Sequence, residues 1–162
     1  MTRIAVALAV MIAAATPLAA KDSLGVFSGW AAFRDANVPR CYAIAAAEPA
    51  RDGAASSGYA TIGHWPKRSI RGQVHLRLSQ PLRAKQASLR IGRQSFSLTV
   101  DGNKAWAQDK AVDAAIIAAM RSAPSMRITA ISANGRRFTD TYELAGAATA
   151  IDAATLGCRR FR

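Results

Sequence analysis

The sequence predicts a mainly β protein: an antiparallel sandwich or incomplete barrel with one inserted helix and a C-terminal helix. Three observations carry that prediction. Apolar residues return at every second position through most of the chain, between clusters of Gly, Pro, Asn and Asp. The period changes to that of a helix once, late in the sequence, and again at the very end. A run of strands broken by few helices is the order expected of sheets that pack on themselves or on helices at one end.

The N-terminus stands apart from this pattern. "MTRIAVALAVMIAAATPLAA" carries one basic residue, Arg3, and then an unbroken apolar stretch from Ile4 to Ala15. That stretch is shorter than the roughly 20 residues a bilayer-spanning helix needs, and it ends in Thr16, Pro17 and small residues. Residues 1–20 therefore read as a signal peptide cleaved after Ala20, and residues 21–162 as a single β-rich domain with no transmembrane segment after processing. The alternative, a buried N-terminal helix, would show a polar stripe of helical period that is missing here. The roughly 140 residues that follow are enough for one domain with a proper core.

The elements follow in order. "GVFSGWAAFR" (25–34) and "CYAIAAA" (41–47) read as the first two strands, joined by the turn-rich "DANVP". "ARDGAASS" (50–57) is a surface loop, and "GYATIGHW" (58–65) a strand stopped by Pro66. In "GQVHLRLSQ" (72–80), Val74, Leu76 and Leu78 face one way and His75, Arg77 and Ser79 the other. "ASLRI" and "QSFSLTV" form a hairpin through Gly92, with Leu89, Ile91, Phe96, Leu98 and Val100 inward. "DGN" (101–103) turns the chain into a short strand, "KAWA".

In "DKAVDAAIIAAMRSAP" Val112, Ala115, Ile116, Ala119 and Met120 share a helical face, Asp109 can cap the start, and Pro124 follows the end. Strand period resumes in "SMRITAIS", and the Asn134–Gly135 pair turns the chain into "RFTDTYELAG". In "AATAIDAATLGC" Ala147, Ile151, Ala154 and Cys158 are spaced as one face of a terminal helix.

Export changes how the two cysteines are read. In an oxidising compartment a small even count is more simply a disulfide than a metal or catalytic pair, so Cys41 and Cys158 are expected to staple the terminal helix to the second strand. The competing reading is a reactive Cys41 serviced by His64 or His75, but no third group for such a site is identifiable.

Other chemistry is hard to find. The chain has no Gly-x-Ser-x-Gly elbow, His-Glu-x-x-His pair, phosphate-cradling glycine loop or Cys-x-x-Cys. Two histidines alone cannot complete a zinc site, and Asp109 and Asp113 are explained as charges at a helix N-terminus. No catalytic residue, metal or cofactor is expected, and the protein is read as a non-enzyme.

Charge is the property left over. Twenty-two lysines and arginines against 10 acidic residues give a net charge of +12, which loss of Arg3 lowers by one. Such a field attracts acidic polymers and surfaces. The basic residues gather between Lys67 and Arg93 and again in "CRRFR". Arg71, Arg77, Lys85, Arg90, Arg93, Arg159, Arg160 and Arg162 are the expected anion-binding set. Nucleic acid is a poor partner for an exported protein, and only Phe96 among the basic strands could stack on a base. The anions met outside the cytoplasm are anionic envelope lipid, lipopolysaccharide and acidic polysaccharide. A periplasmic protein-interaction or inhibitor module is the alternative, and a hydrolase stands third.

The Trp30 and Cys41 placements resemble a known family, as does, above all, the module "DAAIIAAMRSAPSMRITAISANGRRFTDTYELAGAATAIDAATLGC". In the bacterial invasion-associated locus B proteins a helix leads into a strand and hairpin, then a Leu-x-Gly step, here Leu144 to Gly146, and a small-residue terminal helix. The resemblance implies an envelope-associated periplasmic or secreted protein, with a role in host-cell invasion named for some members and no established reaction.

Overall fold

Ten strands join into one antiparallel sheet in the order β1-β2-β3-β4-β5-β8-β7-β6-β9-β10. The structure, a computed structural model, describes residues 21–49 and 56–161; the expected leader, most of the 50–57 loop and Arg162 lie outside the described residues. The strands are β1 (Asp22–Phe27), β2 (Trp30–Asp35), β3 (Arg40–Ala46), β4 (Tyr59–Trp65), β5 (Ile70–Arg77), β6 (Gln86–Ile91), β7 (Gln94–Asp101), β8 (Lys104–Ala107), β9 (Ser125–Ile131) and β10 (Arg137–Glu143). Helix α1 (Lys110–Met120) lies between β8 and β9, and α2 (Ala147–Gly157) follows β10.

One expected element divides in two. The stretch 25–34, read as a single strand, is the β1–β2 hairpin, in which Phe27 pairs with Trp30. The chain reverses at Ser28, whose φ of 52° lies in the left-handed region that a non-glycine residue seldom adopts. Gly29 completes a Ser-Gly turn pair, a signal that the apolar residues on both sides obscure.

The alternation read from sequence defines the inner face. Val74, Leu76, Leu78, Leu89, Ile91, Leu98 and Val100 are buried, and Phe96 is half-buried against them. Among the α1 positions, Ile116, Ala119 and Met120 are buried, Val112 is half-buried and Ala115 is exposed, so the packed stripe is narrower than expected. Asp109 caps α1 as predicted, its carboxylate accepting from the N–H groups of Ala111 and Val112 at 2.8 and 2.9 Å. One turn on, Asp113 accepts from the Val74 N–H at 2.8 Å. β8 pairs only with His75–Arg77 of β5, so this carboxylate satisfies a strand donor beyond the end of that ladder.

Helix α2 crosses β1–β4. The sheet offers Ala32, Ala43 and Ala45, and the helix offers Ala147, Ala150, Ile151 and Ala154, all buried. Small side chains on both surfaces let the helix backbone approach the strands closely. The Leu144–Gly146 step is what aims it. Gly146 has φ 83°, and a Cβ there would collide with the carbonyl of Phe27. Only glycine combines that conformation with that approach.

The sheet is not closed by a ladder, but its ends meet through single bonds. The Glu48 N–H donates to the Thr141 carbonyl at 2.8 Å, and the Trp30 indole N–H to the Glu143 carbonyl at 2.8 Å. In the same region Asp140 accepts from the Ser79 N–H at 2.8 Å and from its hydroxyl. These bonds fold β10 back across the exits of β3 and β5.

Candidate functional site

The sulfur and imidazole groups prove structural. Cys41 and Cys158 are bonded, with Cα atoms 5.6 Å apart across a sequence separation of 117, and no free cysteine is left. This removes the reactive Cys41 reading. His64, opposite Cys41 on β4, is buried. Its Nδ1 accepts from the Gly72 N–H at 3.2 Å, so the proton sits on Nε2, which faces Thr155 Oγ1 at 3.3 Å. That hydroxyl in turn donates to the Ile151 carbonyl at 2.8 Å. Burial, helped by the nearby charge of Arg71, lowers the His64 pKa and keeps the ring neutral. His75, on the outer face of β5, is half-buried and lowered in the same direction by burial and by Lys104. Among the described residues no cluster of His, Cys, Asp and Glu could hold a metal, and no helix is long and apolar enough to cross a membrane.

The expected anion-binding residues are distributed over three places. At one pole the 3₁₀ turn Pro66–Arg68 touches the turn Cys158–Phe161, bringing Lys67 and Arg68 to Arg159 and Arg160, with Arg71 close enough to act on His64. On the outer face of β5, Arg77 pairs with Lys104, which Asp101 opposes from β7. Lys85 is itself 3.5 Å from Asp101. Arg90 is three strands away from Arg77 in the sheet order, directly opposite Arg127 of β9. Arg93 is exposed beside the β6–β7 turn. Arg162 lies outside the described residues.

Arg90 opens onto a concavity. It is a cleft of about 1080 Å³ floored by the outer face of β6, β9 and β10 and walled by Glu48, Pro49, Ser56 and Ser57. Arg90, Arg127, Arg136 and Arg137 line it, together with Ser88, Thr129, Thr139 and Thr141. None of the four arginines is in a salt bridge among the described residues. Like charges directly opposite on neighbouring strands repel, so the Arg90–Arg127 pair is a cost in the absence of an anion. The lining carboxylate of Asp140 is engaged by Ser79 and buried.

Arg127, Arg136 and Arg137 escaped the sequence reading although the hairpin that bears them was foreseen. Alternation alone places 127, 129, 137, 139 and 141 on one face. What it cannot supply is the pairing of β6 with β9, a contact between distant segments that sets Arg90 beside Arg127.

The model of the family described as invasion associated locus B (IalB) protein matches residues 40–155. Among solved structures, the crystal structure of invasion associated protein B from Bartonella henselae is similar in fold. Its TM-score is 0.58 at 14% identity, and the match covers 83% of this chain and 97% of that one. No curated protein matches the chain.

Proposed function

Because the chain belongs to the invasion-associated locus B family, we propose that it is an exported, envelope-associated binding protein that holds anionic envelope or surface material without catalysing a reaction. The leader ending at Ala20 supports export to the periplasm or beyond. The observation that carries the binding role is the cleft between β9–β10 and the residues Glu48, Pro49, Ser56 and Ser57, with four arginines that make no ion pair among the described residues. Hydroxyl groups beside them supply donors for phosphate, sulfate or carboxylate oxygens. The remaining basic residues of the expected set, Arg71, Arg77, Lys85, Arg93, Arg159 and Arg160, with the charge of Arg162, add a long-range attraction to anionic lipid, lipopolysaccharide or acidic polysaccharide.

Binding of the exported protein to anionic and to zwitterionic vesicles and to lipopolysaccharide, at low and high salt, tests this. Retention on the anionic surfaces that weakens steeply with salt is expected, as is its loss on Arg90→Glu with Arg127→Glu. Binding that ignores salt and survives both reversals would reject the anion-binding role.

A protein-interaction module is the second reading, and one observation favours it. Phe33, Tyr42, Ile44, Tyr59, Trp65 and Trp106 are half-buried on the outer face of β2–β5 and β8, the side away from both helices. A stoichiometric, salt-resistant protein complex would bring that face to the fore.

A further inference from the structure

We infer that the cleft has two cationic ends and selects a ligand with two phosphate groups about 13 Å apart, the chemistry of a bisphosphorylated sugar headgroup on an envelope lipid. The inference rests on the anion-binding role above and narrows it to one ligand class.

The spacing comes from the register. Arg127 pairs with Thr141 of β10, and Arg137 lies four residues before Thr141 on the same strand and the same face. At about 3.3 Å per residue, that puts the backbone row holding Arg90 and Arg127 roughly 13 Å from the backbone row holding Arg137. Arg136 stands next to Arg137 in a fixed turn: the Ser132 hydroxyl donates to the Arg136 carbonyl at 2.7 Å, and the Arg136 N–H donates back to Ser132 Oγ at 3.2 Å. Each end therefore carries two guanidinium groups.

Between the ends the floor carries hydroxyl groups, with the Asp140 carboxylate tied to Ser79 and Glu48 on the wall beside Thr141. Thr129 and Thr139 face each other across the ladder with hydroxyl oxygens 2.9 Å apart. A cation pair, a hydroxyl-lined middle and a second cation pair complement a polar, uncharged body with a dianion at each end. Two guanidinium forks suit the charge and the several oxygens of a phosphate better than they suit a single carboxylate. At about 1080 Å³ the cleft has room for a disaccharide between them.

The test is calorimetric titration of the protein, purified from the exporting cell, with three probes. These are a deacylated 1,4′-bisphosphorylated diglucosamine, its monophosphorylated counterpart and a polyuronate. The bisphosphorylated sugar should bind at least about tenfold more tightly than the monophosphorylated one, as expected for losing one end's charge-assisted bonds. Arg90→Gln with Arg127→Gln, and separately Arg136→Gln with Arg137→Gln, should each abolish that preference. Lys67→Gln with Arg68→Gln removes the same charge at the far pole and should preserve it. Equal binding of the two phosphorylated sugars would overturn the two-ended site and leave general anion binding standing. Tighter binding of the polyuronate would assign the cleft to an acidic polysaccharide instead. Failure of all three probes would overturn both readings. The preference of the unaltered protein decides the matter even if a double variant fails to fold.

Discussion

The two ends of the sheet are secured by different chemistry. Under α2, strands β1–β4 present alanines, a buried disulfide and a neutral histidine, all turned inward and all partnered. Across the sheet, β6, β9 and β10 carry arginines and hydroxyls on an open outer face; β6 joins the rest through its ladder with β7, while the outermost strand, β10, is tied back across the fold by single hydrogen bonds at Asp140, Thr141 and Glu143. One end contributes order to the chain. The other exposes arginines that make no ion pair among the described residues, and it is where the proposed anion site lies. The difference suggests that stability and binding can be altered separately.

The largest test of that separation is removal of the disulfide by Cys41→Ala with Cys158→Ala. A loop of more than 100 residues is worth up to about 4.7 kcal/mol on the chain-entropy account, and losses of 2–5 kcal/mol are typical of small exported domains. Urea unfolding should show a drop of that order. Below the unfolding transition, affinity of the cleft for the bisphosphorylated sugar should stay unchanged, because neither cysteine lines the cleft. Affinity that fell in step with stability would mean that the two ends are coupled, and the contrast would have to be abandoned.

What was legible in the sequence follows the same divide. The stapled end could be read because its signals are local or chemical: the spacing of Ala147, Ile151, Ala154 and Cys158 on one helical face, the even cysteine count, and the Leu144–Gly146 step. Even there the β1–β2 hairpin is hard to read, since its Ser28–Gly29 turn signal sits inside an apolar run, and the burial of His64 depends on a helix partner, Thr155, that is 91 residues away. The cleft end was legible strand by strand but not as a site. Its geometry comes from the β6–β9 pairing and from β10 folding back towards Glu48, and neither is encoded by alternation. The sequence clustering of Arg71, Arg77 and Arg90 suggested one surface, whereas the strand order β5-β8-β7-β6 carries Arg90 away from the other two.

A smaller effect should come from His64. Its pKa is lowered in the folded protein, so the unfolded chain takes up a proton first as pH falls. Stability is therefore unaffected by this group above its ordinary value of 6.5 and declines as pH drops below it. His75 adds a decline of the same sign, while Asp113, raised by burial, acts in the opposite sense in the carboxylate range. Comparison with His64→Gln isolates the group. The variant loses two hydrogen bonds and should be less stable at pH 7.5, but the gap should narrow by pH 5.5 as the parent pays for deprotonating His64. A constant gap would show that the imidazole remains able to ionise in place and does not hold α2 as a neutral group.

The smallest effect, and one of opposite sign, is expected at Tyr142, which lies beneath the cleft end on the inner face of β10. Its ring is fully buried, and its hydroxyl is the one buried side-chain polar atom without a partner among the described residues. Burial, with the charge of Asp140 close by, pushes its pKa upward, so the group stays protonated. A buried hydroxyl that makes no bond has lost its hydration without recompense. Tyr142→Phe keeps the ring and deletes only that atom, and it should leave stability unchanged or raise it by about 0.5–1 kcal/mol in urea unfolding. Anion binding should not move, because the side chain points away from the arginines. A loss of 1 kcal/mol or more would show that an ordered water satisfies the hydroxyl. The cleft end would then have a second buried polar anchor beside Asp140, comparable to His64, and the contrast between the two ends would be one of degree.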